Sequence, residues 1–363
     1  MAEKFHIDED IRKSQTLPSS FYSDQSTFER IRDKIFYRSW QWIGDKHVLK
    51  DDHTAHPFVL LDGYLTEPML LTHNGKGDYH CLSNVCTHRG NIVISKAGAY
   101  RNLNCGYHGR RFGIDGNFEF MPEFNEVEDF PANCDHLHKF PLANWGPWFF
   151  AGLNPVYDIE AVLKEINTRV GFLSLDEFKY LEERGKEYTV NAHWALYCDN
   201  YLEGFHIPFV HNDLNAVLDY GNYETVLFDH MSLQIGYAEG TEELFDLPRG
   251  HIDYGKKIAA YYFWVFPNMM FNFYPWGLSV NVVEPLKIDK TRVRFLSYVY
   301  DESKLNRGAG AGLDKVEKED EEVVEGVQIG IRSRFYKAGR FSPSKEKGVH
   351  HFHRLLAEFL NAE

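Results

Sequence analysis

The feature that most constrains this chain is a pair of short segments that each contain one cysteine and one histidine. The first segment, CTH, occupies residues 86–88, and the second, CGYH, occupies residues 105–108, with sixteen residues between them. In one kind of [2Fe–2S] centre, one iron keeps two thiolates and the other takes two histidines instead. The matched pairs therefore predict two loops that meet around such a cluster, with the ligands Cys86, His88, Cys105 and His108.

A structural zinc ion is the alternative, because two cysteines and two histidines also satisfy tetrahedral zinc. Zinc fingers, however, usually supply the cysteine pair from one arm and the histidine pair from the other. Here each arm supplies one of each, and the flanking sequences CTHRG and CGYHGRRFGIDG contain glycines typical of hairpin tips. The pattern favours a Rieske-type cluster, and a redox-silent, zinc-stabilised binding module stays the rival interpretation.

A cluster of this kind only transfers electrons, so the chain should contain a second site that consumes them. The candidate is the segment DNYLEGFHIPFVH at residues 199–211. On a continuous helix, Asp199, Glu203 and His206 would share one face, which makes the two carboxylates candidate catalytic residues. Pro208 should disrupt that helix and allow His211 to turn back toward His206. Two histidines and one carboxylate form the facial triad that holds Fe(II) and leaves positions open for O₂ and substrate.

The two cysteine–histidine loops and the E-x-x-H-x-x-x-x-H pattern at residues 203–211 resemble the large (alpha) subunit of Rieske non-haem iron oxygenases. The resemblance implies that His206 and His211 bind a mononuclear Fe(II). It also implies that Glu203 is an inter-subunit bridge, which links His206 to His108 of a neighbouring subunit in a homotrimeric ring. Many members have aspartate at the bridge, so Glu203 fits a subset of the family.

The third iron ligand must be a carboxylate well downstream, where residues 317–322 read EKEDEE. A charge run of this kind is more often a solvated helix face. The family, however, places its ligand aspartate in this region, at the start of a long C-terminal helix. The resemblance therefore implies Asp320 as the third ligand, with Glu319 and Glu321 as alternatives.

Basic residues are concentrated around the cluster loops, although the whole chain has a formal net charge of −14. A basic collar could steer an acidic ferredoxin or a reductase domain to the cluster. The opposing interpretation is that some of these side chains bond loop carbonyls. Family members commonly have tryptophan after His-Gly where this chain has arginine, which changes the surroundings of the cluster but not its ligands. The collar consists of Arg89, Lys96, Arg101, Arg110 and Arg111.

Length, charge and cysteine content limit the remaining possibilities. At 363 residues with 44% hydrophobic content, the chain is long enough for two domains with their own cores. The acidic charge argues against nucleic acid as a partner. The sequence has no apolar run long enough to span a membrane and no apolar leader at its start. Five cysteines, two of them assigned to the cluster, argue against a disulfide framework and for a cytoplasmic protein.

The order of patterns along the chain predicts an α+β protein. Residues 1–39 should form a helical arm that packs on the catalytic domain, with a helix that begins at the capping box Ser26-x-x-Glu29. Residues 40–155 contain short strand-like segments broken by turn residues, which predicts an all-β Rieske domain. Residues 156–363 should form the catalytic mononuclear iron domain, a helix-grip fold in which helices cover an antiparallel sheet. Its first helix is predicted over residues 159–170 and its last over residues 345–360.

The resemblance implies a terminal oxygenase that takes electrons from NAD(P)H through a separate reductase or ferredoxin, since the chain has no flavin or nicotinamide motif. Such an enzyme hydroxylates or oxidatively demethylates a small organic substrate. The motifs PNMM and YPWG within residues 267–277 are most similar to members that oxidise quaternary ammonium compounds, such as choline- and betaine-type enzymes. Aromatic residues of the tract 261–276 could grip such a cation, although most of them should be sheet core. The alternatives are an aromatic ring-hydroxylating dioxygenase and a Rieske electron-transfer protein with a vestigial iron site.

Overall fold

The computed structural model describes residues 3–49, 54–211, 223–238, 243–307 and 313–362. The chain divides into two units, Tyr37–Val156 and the combination of Met1–Phe36 with Tyr157–Glu363. We call the first the β unit and the second the mixed unit. The finer division into residues 1–39, 40–155 and 156–363 stays a prediction.

The β unit consists of short antiparallel strands. The strands are β1 Gln41–Asp45, β2 Thr54–Leu60, β3 Glu67–His73, β4 Tyr79–Ser83, β5 Gly98–Ala99, β6 Leu103–Asn104, β7 Arg111–Phe112, β8 Phe118–Phe120, β9 Lys139–Phe140, β10 Leu142–Trp145 and β11 Trp148–Ala151. They form three sheets, with the orders β1-β11-β10, β5-β2-β3-β4-β9 and β6-β7-β8. Side chains such as Leu70, Leu82 and Phe112 form a core that also includes the cysteines of the cysteine–histidine loops. The all-β prediction for this part of the chain is therefore confirmed.

The mixed unit is built on an eight-stranded antiparallel sheet. Its strands are β12 Lys179–Tyr180, β13 Lys186–Val190, β14 Glu224–Phe228, β15 Met231–Tyr237, β16 Ile258–Val265, β17 Met269–Tyr274, β18 Gly277–Lys287 and β19 Lys290–Val299. They lie in the order β12-β19-β18-β17-β16-β15-β14, and β13 also pairs with β19. Strands β15 to β18 are almost entirely buried, so polar residues such as Gln234, Asn272 and Asn281 are buried together with the apolar ones.

Helices pack against this sheet and against one another. The helices are α1 Ser19–Ser23, α2 Gln25–Lys34, α3 Ile159–Val170, α4 Trp194–Tyr201, α5 Ile207–Val210, α6 Leu313–Ile331 and α7 Lys347–Asn361. Helix α3 packs on β16, while α4 contacts α6, α7 and β18. The predicted helix over residues 159–170 is confirmed, as is the α+β class. Among the described helices, none has the length and apolar composition needed to cross a membrane. The cytoplasmic location stays a prediction.

The start of α2 differs from the predicted capping box. Asp24 is the N-cap, and its carboxylate accepts hydrogen bonds from the Ser26 amide at 3.2 Å and the Ser26 hydroxyl at 2.7 Å. The box centred on Ser26 is therefore wrong by two residues. Aspartate at this position satisfies amides that have no partner inside the helix, and its charge suits the helix N-terminus.

Helix α4 begins at an unusual cap, the imidazole of His193. Its Nδ1 accepts a hydrogen bond from the Ala195 amide at 3.2 Å. Burial lowers the pKa of His193 to about 3, so the ring is neutral and its Nδ1 can act as an acceptor. This cap fixes where α4 starts.

Replacement of the α2 cap tests this assignment. Asp24→Ala should lower the free energy of unfolding by about 1 kcal/mol, because the first-turn amides lose their acceptor. Glu29→Ala, which would remove the second half of the predicted capping box, should change stability far less. Urea denaturation followed by circular dichroism measures both. Equal losses of unfolding free energy in the two variants would support the predicted capping box at Ser26 and Glu29 instead.

Candidate functional site

The two cysteine–histidine segments fold into hairpin tips with matching backbone geometry. In each tip the cysteine amide donates to the carbonyl five residues later, at 2.8 Å in both. The glycine four residues after the cysteine donates back to the cysteine carbonyl, at 2.9 Å for Gly90 and 3.1 Å for Gly109. These glycines have φ values of 70° and 72°, a region in which a Cβ atom is strained. The CTHRG and CGYHG sequences thus give the same turn twice.

The two tips bring their metal-binding atoms together in matched pairs. The thiols of Cys86 and Cys105 are close enough to interact through a hydrogen bond, and both residues are buried. The rings of His88 and His108 lie 4.7 Å apart between centroids, nearer the surface. Two inner thiolates and two outer imidazoles suit a cluster with sulfur ligands on one iron and nitrogen ligands on the other.

Arg110 corrects the predicted basic collar. Its side chain is 2% exposed and donates from Nη2 to the carboxylate of Asp135. The guanidinium also lies over the rings of Phe112, Phe118 and Phe130, at 5.8, 5.1 and 5.5 Å from their centroids. A buried, paired cation cannot contact a partner protein, so Arg110 does not belong to a docking surface.

The remaining collar residues differ in exposure. Arg89, Lys96 and Arg101 are exposed. Arg111 is partly buried, and its Nε lies 3.1 Å from Oε2 of Glu119, an acidic residue beyond the basic stretch. The positive surface is therefore smaller than the sequence indicated.

The predicted single helical face through residues 199–206 is wrong, because α4 ends at Tyr201. The carboxylate of Glu203 accepts hydrogen bonds from the amides of Phe205 and His206, the latter at 3.1 Å. These are amides that an uninterrupted helix would bond internally, so Glu203 stabilises the break. Pro208 lies within the first turn of α5, where its missing N–H costs nothing, instead of interrupting a longer helix.

Asp199 is not among the residues that line the pocket, and its catalytic role stays a prediction. Its carboxylate accepts a hydrogen bond from the Tyr22 hydroxyl at 3.0 Å and lies 2.9 Å from Nε2 of His353. These contacts join the arm before α2 to helices α4 and α7. Asp199 therefore holds elements of the mixed unit together.

The helix break brings both histidines to helix α6, where Asp320 meets them. One side-chain ligand atom from each of His206, His211 and Asp320 can be chosen so that all lie within 4.8 Å of one another. Oδ1 of Asp320 is 2.9 Å from Nε2 of His211 and 3.4 Å from Nε2 of His206. Two imidazole nitrogens and a carboxylate oxygen at this spacing are a donor set suited to a divalent iron.

A second carboxylate orients each histidine by contacting Nδ1, the ring nitrogen that does not face Asp320. Nδ1 of His206 lies 2.7 Å from Oε1 of Glu203, and Nδ1 of His211 lies 2.7 Å from Oε2 of Glu319. Hydrogen bonds of this kind fix the ring orientation of metal-binding histidines. Burial alone would lower the pKa of His206, but the bonds to Asp320 and Glu203 outweigh it and raise that pKa to about 9. The same pairing holds the pKa of Asp320 below its usual value despite burial.

A cavity of about 110 Å³ opens beside these residues. A cavity needs a volume of at least roughly 10–15 Å³ to hold one water molecule, so this cavity can hold a small organic molecule. Strand register builds one wall, because Tyr262 lies opposite both Gln234 and Asn272 in neighbouring strands. Burial raises the pKa of the phenols around the cavity, so these side chains are neutral. The lining tyrosines are Tyr197, Tyr201, Tyr223, Tyr262 and Tyr274.

Sequence reasoning found the histidines and Asp320 but missed several contributors. Asn200 donates to Oδ1 of Asp320 at 2.6 Å, and Glu319 holds His211. Of the aromatic tract 261–276, Tyr262 and Tyr274 line the cavity, while neighbours such as Phe263 are core. Because side chains alternate along a strand, residues 272 and 274 could have been assigned to the same face of the sheet. The sequence does not reveal which face of the sheet borders the cavity.

Comparison with known proteins gives matches over nearly the whole chain. Residues 39–131 match the Rieske [2Fe-2S] domain, and residues 177–362 match the catalytic domain of the ring hydroxylating alpha subunit. The chloroplastic choline monooxygenase of Arabidopsis thaliana is 30% identical, over 95% of this chain and 83% of that protein. The carnitine monooxygenase oxygenase subunit of Escherichia coli (strain K12) is 26% identical, over 96% of this chain and 94% of that protein.

Solved structures share the same fold. The quaternary ammonium Rieske monooxygenase CntA in complex with L-carnitine superposes with a TM-score of 0.77 at 20% identity, over 99% of this chain and 100% of that one. Naphthalene 1,2-dioxygenase from Rhodococcus sp. bound to indole gives a TM-score of 0.72 at 15% identity, over 96% of this chain and 95% of that one. At these identities the structures compare folds alone.

Removal of the carboxylate behind His211 tests the histidine–carboxylate cluster. Glu319→Ala should weaken Fe(II) binding by roughly 10- to 100-fold, because the ring of His211 loses its orienting partner. Glu322→Ala, on the exposed side of the same helix, should leave it unchanged. Anaerobic equilibrium dialysis against Fe(II) measures both affinities. Identical affinities in the two variants would contradict the assigned role of Glu319.

Proposed function

This chain belongs to the alpha subunits of Rieske-type ring-hydroxylating oxygenases, and we propose that it hydroxylates a small quaternary ammonium compound. Membership makes it an oxidoreductase and the terminal oxygenase component of a multi-protein system. The Rieske domain indicates a [2Fe–2S] cluster and the catalytic domain a mononuclear iron. Alpha subunits of this family are oligomeric and take electrons from partner proteins.

In the proposed assignment, the two hairpin tips hold the cluster and the residues at the start of α6 complete the iron site. When bound, the cluster supplies single electrons and the mononuclear iron supplies O₂ activation. The cluster ligands are Cys86, Cys105, His88 and His108, and the iron ligands are His206, His211 and Asp320. Their convergence in the structure supports these roles. Asp320 is preferred to Glu319 because Glu319 contacts the opposite nitrogen of His211.

Glu203 has a proposed second role as the bridge to a neighbouring subunit. Its carboxylate already orients His206 at 2.7 Å, and it is 13% exposed, so one side of it is accessible. His108 is exposed on its own hairpin tip. A ring of three subunits would allow Glu203 to contact His108 of the next subunit, which would give the electron a short path.

The proposed reaction is a monooxygenation. Insertion of one oxygen atom into a substrate C–H bond consumes O₂, two electrons and two protons, and yields the alcohol and one water. NAD(P)H supplies the electrons through a separate reductase or ferredoxin. When the hydroxylated carbon is bonded to the ammonium nitrogen, the hydroxyl group loses its proton and the C–O bond becomes a carbonyl as the C–N bond breaks. The electron pair of the C–N bond stays on the departing tertiary amine.

The single observation that carries the substrate class is the wall of five tyrosines around the cavity. Aromatic faces attract a quaternary ammonium ion by about 0.5–2 kcal/mol each, and more strongly where water is excluded. The rings are held in place: Tyr274 stacks on Trp276 at 5.4 Å, and the Tyr201 hydroxyl donates to Asn272 at 2.6 Å. Similarity to choline and carnitine monooxygenases supports the same class.

Single-turnover chemistry tests this function. Reduced, iron-loaded protein mixed with O₂ should convert choline or a related quaternary ammonium compound, and naphthalene should be recovered unchanged. Mass spectrometry should find one ¹⁸O atom from ¹⁸O₂ in the initial product, because the second atom leaves as water. A cis-diol from the arene would contradict the proposal and indicate the ring-hydroxylating dioxygenase. No turnover by protein that holds about two irons per chain would favour a Rieske electron-transfer protein with a vestigial iron site.

The cation–π contribution is testable at Tyr262. Tyr262→Leu should weaken choline binding by about 3- to 30-fold, because the aromatic face is lost. Tyr262→Phe, which keeps the ring, should change affinity much less. Isothermal titration calorimetry under anaerobic conditions measures both. Equal losses in the two variants would show that the hydroxyl, and not the ring, binds the ligand.

The electron donor is proposed to dock at the exposed cations near the cluster loops. Arg89→Gln, Lys96→Gln and Arg101→Gln together should slow electron transfer and reduce its salt dependence, because fewer charges attract the acidic partner. Stopped-flow reduction by a ferredoxin at several ionic strengths measures the rate. Lys76→Gln, at an exposed turn between β3 and β4, is the control. A wild-type rate independent of salt would contradict the docking surface.

A further inference from the structure

The permanently charged side chains that line the described part of the cavity are all acidic. Its lining contains the acidic residues Glu203, Glu317 and Asp320, and no lysine or arginine among the described residues. The segments of the mixed unit that the structure does not describe between residues 3 and 362, namely 212–222, 239–242 and 308–312, contain no lysine or arginine in their sequences either. Within helix α6, Lys315 is 61% exposed and lies 3.9 Å from Glu319. His206 and His211 also line the cavity, and as iron ligands they would be neutral.

Glu317 is the anion that neither the iron site nor the bridge uses. Asp320 would be balanced by the iron, and Glu203 holds His206. Glu317 precedes Asp320 by three residues, so both side chains lie on one face of α6. Its Oε2 accepts a hydrogen bond from the Tyr197 hydroxyl at 2.5 Å. Burial raises the pKa of Tyr201 and Tyr274, and the charge of Glu317 raises it further, so this carboxylate lies near the same tyrosine wall.

We propose that the cavity selects cations that carry no carboxylate, and that Glu317 is the residue that sets this preference. The inference rests on the proposed function, since it concerns the ligand of the same site. A quaternary ammonium group among the tyrosines would gain from the nearby Glu317 carboxylate. Glu317 would repel a substrate carboxylate, which would be desolvated without a lysine or arginine among the described lining residues. An ammonium alcohol fits these conditions, and a betaine does not.

Ligand binding to the iron-loaded protein under anaerobic conditions tests the proposal without turnover. Calorimetry should find that choline binds about tenfold or more tightly than glycine betaine. Choline should also bind more tightly than 3,3-dimethylbutan-1-ol, its uncharged counterpart. Glu317→Gln should weaken choline and strengthen betaine, and Glu317→Arg should reverse the order of the two. Glu322→Gln, which changes an exposed charge on the same helix, is the control.

The outcomes separate this inference from the proposed function. Betaine binding as tightly as choline to the wild-type protein would overturn the inference while leaving a quaternary ammonium substrate in place. An unchanged preference in both Glu317 variants would overturn the role of that residue. Equal binding of choline and its uncharged counterpart would overturn the proposed substrate class itself. Measured iron content in each variant shows that the site is intact.

A second, independent observation concerns the buried guanidinium of Arg110. Burial of a charge is unfavourable unless it is paired, and here Asp135 and three aromatic rings surround it. Its backbone carbonyl accepts the Cys105 amide at 2.8 Å, which fixes it beside the second hairpin tip. Arg110 also follows the proposed ligand His108 by two residues. The buried cation therefore belongs to the same hairpin tip as two proposed cluster ligands, where water screens its charge weakly.

The geometry points to Arg110 as a positioning residue that raises the reduction potential of the cluster. A fixed positive charge favours the reduced cluster, which carries one more negative charge than the oxidised one. Asp135 opposes this effect and keeps the guanidinium in place. The two partners should therefore shift the potential in opposite directions when each is neutralised.

Potentiometric titration monitored by electron paramagnetic resonance tests this pair. Arg110→Gln should move the potential of the cluster to more negative values, Asp135→Asn to more positive values, and Arg110→Lys should restore most of the wild-type potential. Lys76→Gln should have no effect. Shifts of the same sign in Arg110→Gln and Asp135→Asn, or no shift in either, would overturn the assignment. If Arg110→Gln fails to load the cluster, Asp135→Asn and Arg110→Lys still decide it.

Discussion

The structure depends most on the meeting of two imidazoles with several carboxylates at one point of the mixed unit. His206, His211 and Asp320 place ligand atoms within 4.8 Å of one another, while Glu203 and Glu319 hold the outer nitrogens of the two rings. Such a concentration of partly buried acidic groups is unfavourable unless a cation balances it. The break after α4 and the packing of α6 against α4 make this arrangement possible. The mononuclear iron of the family would supply the cation that balances these acidic groups.

The same requirement that buried charge be balanced explains features away from the iron site. Arg110 is buried with Asp135 beside the cluster loops, and Glu317 receives a hydrogen bond from Tyr197 at the cavity wall. In the Arg110–Asp135 pair the protein itself supplies both charges, and we propose that this pair tunes the cluster. At Glu317 we propose that a ligand cation among the tyrosines gains from the carboxylate. Both proposals assign a functional effect to side chains that do not bind metal.

The sequence was most informative where the chemistry demands particular residues at short spacing. The two hairpin tips require cysteine, histidine and a positive-φ glycine within five residues, so they could be recognised directly. Helix α3 and the all-β unit followed from local patterns. The cap of α2 was placed at Ser26 instead of Asp24, and Arg110 was wrongly placed on the surface. The contacts of Asp199 were missed as well. These features depend on contacts with residues distant in the sequence or on local caps that compete with helix propensity. The sequence predicted that aromatic residues of the tract 261–276 could grip a cation, but not which ones, because strand alternation does not say which face borders a cavity.

Metal and sulfide analysis of protein purified anaerobically tests the central claim most directly. The proposed sites predict about three irons and two acid-labile sulfides per chain, with the electron paramagnetic resonance signal of a Rieske cluster after reduction. Asp320→Ala should lose about one iron and keep both sulfides and the signal, because its change affects only the mononuclear site. Zinc in place of iron, or a wild-type protein with two irons and no further loss in Asp320→Ala, would contradict the account.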